Sequence, residues 1–396
     1  MARGRARNGR RGRGAGRGGS PLSGERRLRV VVCGTTFGQV YLEGLRVPAA
    51  GFELAGVLAQ GSERSRRCAE HYGVPLYGSV EELPDDVDAA CVVVRGGLLG
   101  GRGVELACRL MERGIHVIQE HPLHHDELAD CLRAARRHGV VYRLNSFYVN
   151  VEPVRRFVAA ARELLGRQPP LYVDAACGFQ LAYSLLDVLG SALGGVHPWA
   201  FAAAPPPPEQ LSRLSDVGAP FRNLDGVLAG VPLTLRIQNQ LDPSDPDNFA
   251  HVMHRVTVGT EGGDLTLLNT HGPLVWSARP RYPTAPRDAE SRPHFDGVSP
   301  EDLTVPSAIA LGPAEAPSFH TIFRSVWPAG VRRAVEELRR AILEGEDALR
   351  QGQYHLTLCR LWQEIASQLG PPEFLHGEEL RALVGSDLAA LAGAAQ

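Results

Sequence analysis

The sequence predicts an α/β fold: a parallel sheet flanked by helices, followed by an α+β domain whose open sheet is largely antiparallel. Two observations predict it. From Leu28 to Leu144, short apolar and β-branched runs alternate with stretches of helical period, the pattern of a parallel sheet covered on both faces. After Asn145 the alternation stops, and runs of period two take over, as in strands that bury one face. At 396 residues the chain exceeds one ordinary domain. We divide it into a tail at 1–27, a first domain at 28–147 and a second at 148–396.

Met1 to Arg27 is almost entirely Arg, Gly and Ala. Such a segment buries too little surface to offset its ordering entropy and is expected to be disordered. A solvated tail or a mis-assigned start accounts for it, an RNA-binding Arg-Gly tail being the alternative. Leu28 to Cys33 is the first strand, Gly34-Thr35-Thr36-Phe37-Gly38 a turn, and the stretch through Leu45 a helix. Phe52 to Leu58 and Asp88 to Val94 read as buried strands, Gly103 to Arg113 as a helix. His116-Val117-Ile118 is a strand, Asp126 is expected to cap a helix to about Arg137, and Val140 to Leu144 closes the series. In the second domain Glu152 to Leu165 is a helix that tolerates Pro153 in its first turn. Leu233 to Gln238 and Arg255 to Val258 alternate as strands, and Asp264 to Leu268 follows a Gly262-Gly263 turn. Tyr282 to Pro317 reads as a long loop, and Val331 to Leu343 and Tyr354 to Leu369 as amphipathic helices.

Composition excludes several functions. The net charge of −2 points to neither nucleic acid nor membrane as partner, and no apolar run is long enough to span a bilayer. The seven cysteines are scattered without a C-x-x-C pair, which argues for a reducing cytoplasm and against a disulfide framework or zinc ribbon. All 42 Lys+Arg residues are arginine. A Schiff base, a Walker-type lysine and a lysine general base are therefore excluded, and proton chemistry must run through His, Tyr or a carboxylate.

Three segments carry chemistry. Gly34, Thr35, Thr36, Phe37 and Gly38 lie between a buried strand and a helix, where backbone N–H groups and the helix dipole hold a pyrophosphate. The turn is one residue shorter than G-x-G-x-x-G, and Thr36 replaces the middle glycine. Its position directly between strand and helix reads as a Rossmann-type dinucleotide site, the alternative being a structural turn. An NAD-preferring site places an acid at the end of the second strand. Here Gln60 stands there, followed by Ser62, Arg64, Ser65, Arg66 and Arg67, donors suited to a 2′-phosphate. NADPH is therefore expected over NADH, the bland alternative being a solvated basic helix start. Arg95, past the strand ending at Val94, either contacts cofactor or substrate or balances a nearby acid.

The segment Glu120-His121-Pro122-Leu123-His124-His125-Asp126 falls where such a fold ends its fifth strand. Its histidines lack the i, i+4 helical pairing of a metal site, so no metal is expected. His121 sits where ligands bind in parallel sheets, and His124 and His125 read as surface residues. Asn145-Ser146-Phe147-Tyr148 ends at the same sheet edge. Tyr148 is either an interdomain packing residue or a hydroxyl presented to substrate.

Together these residues resemble the glucose–fructose oxidoreductase and inositol dehydrogenase superfamily, Gfo/Idh/MocA. Its fifth strand ordinarily ends in Glu-Lys-Pro, and here His121 replaces the lysine. Asp187 matches the acid of the family's later Asp-and-His pair, with Ser184 where the histidine is expected. The chain is more closely similar to the thiazolinyl imine reductase branch. Val31 to Gly38, Gly114 to Pro122, Gly259 to Gly263, Thr270-His271-Gly272-Pro273 and Leu361-Trp362-Gln363 carry that likeness. The resemblance implies reduction by NADPH of a thiazoline C=N to a thiazolidine. The implied substrate is tethered to a nonribosomal peptide synthetase carrier domain, as in siderophore biosynthesis. It further implies His121 and Tyr148 as proton donors, Glu120 among the cofactor contacts, and a homodimer formed through the open sheet. Hydride addition builds charge on nitrogen, so a positioned acid is required. Histidine, with an ordinary pKa of about 6.5, and tyrosine, at about 10, both qualify. A sugar or cyclitol dehydrogenase and a non-catalytic NADP(H)-sensing regulator are the alternatives.

Overall fold

The computed structural model describes residues 27–46, 51–95, 101–205, 208–245, 249–279, 304–345, 348–375 and 383–394. The expected tail lies almost wholly outside them. The first domain is a six-stranded parallel sheet: β1 (Leu28–Cys33), β2 (Phe52–Leu58), β3 (Leu76–Tyr77), β4 (Ala89–Val92), β5 (His116–Glu120) and β6 (Tyr142–Asn145). The strand order is 3-2-1-4-5-6, so the order of the strands reverses between β1 and β4, where such folds bind ligands. Four helices connect them: α1 (Gly38–Arg46), α2 (Glu63–Tyr72), α3 (Gly103–Glu112) and α4 (His125–His138). β1 and β4 are buried on both faces, which is why they read as unbroken apolar runs.

Several element ends differ from the sequence reading. β4 ends at Val92, not Val94, and the fifth strand continues through Glu120. Asp126 does not cap α4. The N-cap is His124, whose backbone N–H donates to Glu127 Oε2 at 2.9 Å, while Asp126 lies in the first turn, where its charge suits the helix dipole.

The second domain opens with α5 (Glu152–Leu165) and is built on an eight-stranded sheet. Its strands are β7 (Pro170–Gly178), β8 (Trp199–Ala203), β9 (Phe221–Leu228), β10 (Val231–Gln238), β12 (His254–Thr260), β13 (Gly263–Leu267), β14 (Leu274–Ala278) and β15 (Ala308–Ala310). A separate short pair joins β11 (Gln240–Leu241) to β16 (Glu373–Phe374). The sheet is antiparallel except where β10 runs parallel to β7. The helix α6 (Ala182–Leu193) packs under it, buried along most of its length. β15 interrupts the segment read as a continuous loop, of which 282–303 lies outside the described residues.

Two long helices, α7 (Trp327–Glu344) and α8 (Ala348–Leu369), return to the first domain. α7 presses on α1 at Gly44, where an added Cβ would stand 2.9 Å from Val331. Arg143 of β6 pairs with Glu337 of α7 at 3.3 Å, and Gln351 of α8 donates to the Leu144 carbonyl at 2.8 Å. The cleft between the domains is thus braced from behind. Among the described residues no helix is long and apolar enough to cross a membrane.

Candidate active site

Gly34 follows β1 with φ 95°, and an added Cβ would meet the Val93 carbonyl oxygen at 2.6 Å. Only glycine fits there. Its N–H donates to the Leu58 carbonyl at 3.0 Å, which ties β1 to β2 at the switch point. Thr35 is buried, with its carbonyl accepting Gln39 Nε2 at 3.0 Å, while Thr36 is exposed. The Phe37 ring sits 5.1 Å from Phe147 and 5.8 Å from Trp327. Gly38 begins α1, and a Cβ there would make only ordinary contacts, the nearest at 3.5 Å. The first turn of α1 holds no acidic residue, so its positive dipole end is left for an anion. The turn fits a dinucleotide pyrophosphate.

The donors after β2 divide into two kinds. Ser62 is the N-cap of α2, accepting the Ser65 N–H at 3.3 Å. Ser65, expected as a 2′-phosphate donor, is fully buried, and its hydroxyl donates to the Ser62 carbonyl at 2.8 Å. It secures the turn and does not face a ligand. Arg67 and Arg66 pair with Glu63 at 2.8 and 3.8 Å. Arg64 lines a cavity of about 910 Å³ shared with Thr36 and Phe37. Arg95 is exposed, and its carbonyl accepts the Gly103 N–H at 2.9 Å.

At the end of β5 the Glu120 carboxylate meets three protein groups. The Tyr41 hydroxyl donates to it in a short hydrogen bond, Asn145 Nδ2 donates at 3.3 Å, and His121 Nδ1 lies 3.0 Å away. Burial, reinforced by the neighbouring Glu120 carboxylate, pushes the Tyr41 hydroxyl well above its ordinary range, so it stays a donor. Both Glu120 oxygens therefore serve to position side chains. His121 Nδ1 also lies 3.2 Å from the Asn145 carbonyl. Both neighbours of Nδ1 are acceptors, so in the neutral ring the hydrogen resides on Nδ1 and the lone pair on Nε2. The His121–Pro122 peptide is cis.

Tyr148 is set by an unusual turn. Phe147 has φ 64° and ψ −62°, and the Tyr148 N–H donates to the Ser146 carbonyl at 2.8 Å. This is the rare positive-φ γ-turn, strained for any side-chain-bearing residue. Several contacts hold it. The Phe147 N–H donates to Asn145 Oδ1 at 3.1 Å, and the Ser146 hydroxyl donates to Asp187. Asp187 also accepts the Tyr354 hydroxyl at 2.9 Å. The Phe147 ring is fully buried among Phe37, Tyr148 and Trp327. Asn145 thus braces both His121 and the turn that carries Tyr148.

The sequence reading missed the next layer. His254, at the start of β12, lies with its ring 4.8 Å from that of Tyr148. It is fully buried, and burial lowers its pKa to about 3, so it is neutral. Ser184 donates to the Leu181 carbonyl at 2.9 Å, so it accepts from His254 Nε2, also at 2.9 Å. Thr270 donates to His254 Nδ1 at 2.9 Å. An imidazole therefore does stand over Ser184, supplied by a strand in place of the helix. The inward positions His254, Val256 and Val258 alternate with Arg255 and Thr257, a signal from which it was recoverable. Beside it Trp327 donates to His271 Nε2 at 2.9 Å, and burial lowers the His271 pKa to about 4. His121 stacks on Tyr183 at 5.4 Å, and the Tyr183 hydroxyl meets His355 Nδ1 at 2.8 Å. His124 and His125 are half-buried against α8, near Gln363 and Arg360 at 3.2 Å each, away from this cluster.

The structure therefore brings His121, Tyr148 and Glu120 to one sheet edge beside the Gly34–Gly38 turn. Known proteins agree with this architecture. Residues 28–146 match the oxidoreductase family with an NAD-binding Rossmann fold, Gfo/Idh/MocA. Residues 168–277 match the C-terminal domain of thiazolinyl imine reductases of the Irp3 type. No curated protein matches the chain. Among solved structures, an oxidoreductase from Agrobacterium radiobacter in complex with NAD+, L-tartaric acid and magnesium superposes with a TM-score of 0.62 at 11% identity. That match covers 87% of this chain and 97% of that one. GenD2 from gentamicin A biosynthesis, in complex with NAD, gives 0.59 at 14% identity, with 89% and 96% covered. A variant of KijD10, a 3-ketoreductase from Actinomadura kijaniata in complex with TDP-benzene and NADP, gives 0.58 at 16% identity, with 89% and 100% covered. At such identities the structures establish the fold, and the two sequence matches, which together span more than half of the chain, establish the lineage. The chain is an oxidoreductase that belongs to the Gfo/Idh/MocA family, in the branch of the thiazolinyl imine reductases.

Proposed function

We propose that the enzyme uses NADPH to reduce a thiazoline C=N to a thiazolidine on a carrier-bound nonribosomal peptide intermediate of siderophore type. The observation that carries this reading is the lysine-free end of β5. There His121 is locked through Nδ1 to Glu120 and Asn145, beside a tyrosine on a strained turn. Gly34, Thr36, Phe37 and Gly38 would hold the pyrophosphate, and Ser62 and Arg64 would face the 2′-phosphate. When bound, the dinucleotide supplies a hydride to the imine carbon. The chain's own residues must then deliver a proton to nitrogen. We assign the delivery to the Tyr148 hydroxyl, with His121 Nε2 orienting it or returning the proton to it. Neutral His254 packs against Tyr148 and adds no charge beside it, and α7 and Trp327 close the cleft behind.

Association as a homodimer is supported by apolar side chains exposed on the large sheet, among them Leu171 at 43% and Ile309 at 47%. A dehydrogenase of sugars or cyclitols on the same fold is the second reading, and it would need His121 as base. The purified chain is to be given NADPH or NADH with a thiazoline thioester or its small-molecule mimic, and NADP+ with a panel of polyols. Consumption of NADPH with the thiazoline supports the proposal. Turnover of polyols alone would establish the dehydrogenase, and nucleotide binding without any turnover would leave a sensor.

A further inference from the structure

The cavity beside α1 is walled by both domains. Its first-domain lining includes Thr36, Arg64 and Arg67, and its second-domain lining is Phe323, Arg324 and Trp327. The two acids in its wall are already engaged. Glu43 takes the Tyr72 hydroxyl at 3.1 Å and Arg46 at 3.4 Å, and Glu63 takes Arg67 and Arg66. Arg64 and Arg324 are left as the cations of this lining without a carboxylate partner among the described residues. Two cations facing one space that also touches the pyrophosphate turn describe a subsite for a doubly charged anion. Arg324 sits within a π-helical turn, Ile322–Val326, a distortion frequent at functional sites. The turn is anchored directly ahead of α7, which is pressed onto α1 at Gly44.

We propose that Arg324 completes the 2′-phosphate subsite of the dinucleotide from across the domain cleft, opposite Arg64. This rests on the NADPH reading above. It makes cofactor choice a property of both domains, whereas the usual determinants lie after the second strand alone. Bound phosphate would then also draw the second domain onto the first, since its charge is shared between them.

Binding is to be measured by calorimetry on the full chain with 2′,5′-ADP and 5′-AMP, for the wild type and for Arg324→Ala, Arg324→Lys and Arg64→Ala. The wild type is expected to bind 2′,5′-ADP more tightly. Arg324→Ala should weaken 2′,5′-ADP by about tenfold or more, the scale of one charge-assisted hydrogen bond, and leave 5′-AMP nearly unchanged. Arg324→Lys should recover part of the difference. Equal weakening of both ligands in Arg324→Ala would mark a merely structural residue and overturn the proposal. Discrimination retained in Arg324→Ala but lost in Arg64→Ala would overturn it too, while sparing the NADPH reading. A wild type that does not discriminate would refute that reading itself.

Discussion

Replacing Tyr148 by Phe isolates the proton-delivery step. The side chain is 8% exposed, and its ring packs at 5.0 Å from Phe147, 4.8 Å from His254 and 6.3 Å from Trp327. Phenylalanine keeps all three contacts, so the change removes one hydroxyl and little packing. Loss of a hydrogen bond of this kind costs about 1 kcal/mol of stability, a few degrees in melting temperature. Loss of a positioned acid costs roughly 10²–10⁴ in rate, or about 3–5 kcal/mol of barrier at 1.36 kcal/mol per decade. The two effects differ enough to be separated. Steady-state NADPH consumption with a thiazoline substrate measures the loss of rate, and thermal unfolding controls for the loss of stability. Tyr148→Phe should lose most of kcat with a near-native melting curve, and His121→Asn should lose less. A Tyr148→Phe enzyme within a factor of a few of wild type, beside an inactive His121→Asn enzyme, would refute the assignment and make His121 the donor.

Stability should fall steeply in mild acid. His254, His271 and His355 are buried, and burial lowers their pKa values to about 3, 4 and 4. Their folded values lie below the unfolded value of about 6.5, so the unfolded chain takes protons that the native one refuses. Stability is complete above that value and is lost as pH falls toward 4 and 3, by about 2 kcal/mol per histidine at pH 5. Denaturant titrations at pH 8 and pH 5 measure this, and equal midpoints would contradict it. Gly34→Ala should destabilise the fold by about 1–3 kcal/mol, since alanine must adopt the positive φ and meet Val93, and should abolish nucleotide binding. A variant that still binds nucleotide with a native midpoint would show that the turn tolerates a side chain. Cys108 is half-buried and the other six cysteines are buried. A hydrogen bond from Cys131 lowers the Cys108 thiol to about 7 against the effect of burial. Iodoacetamide near neutral pH should therefore alkylate Cys108 first, and peptide mass spectrometry showing another site would contradict this.

The first domain was legible because its strands are buried on both faces and read as continuous apolar runs, β1 and β4 above all. Its phosphate turn and the Glu120–His121 step followed from their places at strand ends. The second domain was less legible. β9 exposes polar residues on both faces, Arg222 on one and Asn223 and Asp225 on the other, which blurs its period of two, and short β15 hides among prolines. The roles of Ser65 and Asp126 turned on local hydrogen bonds that sequence does not report. The γ-turn at Phe147 left no sign, because its strain is met by Asn145, Asp187 and a ring cluster drawn from distant segments. His254 was hidden differently: it occupies an ordinary inward strand position, and only the fold brings it against Tyr148 and Ser184.

The central claim is that one hydride from NADPH reaches the imine carbon while the protein protonates nitrogen. Incubating the enzyme with a thiazoline and NADPH carrying deuterium at the transferable C4 position, then analysing the product by mass spectrometry and NMR, tests it most directly. The account predicts a thiazolidine with a single deuterium on the former imine carbon and an exchangeable proton on nitrogen. An unlabelled thiazolidine, or label retained entirely on the nucleotide, would contradict it.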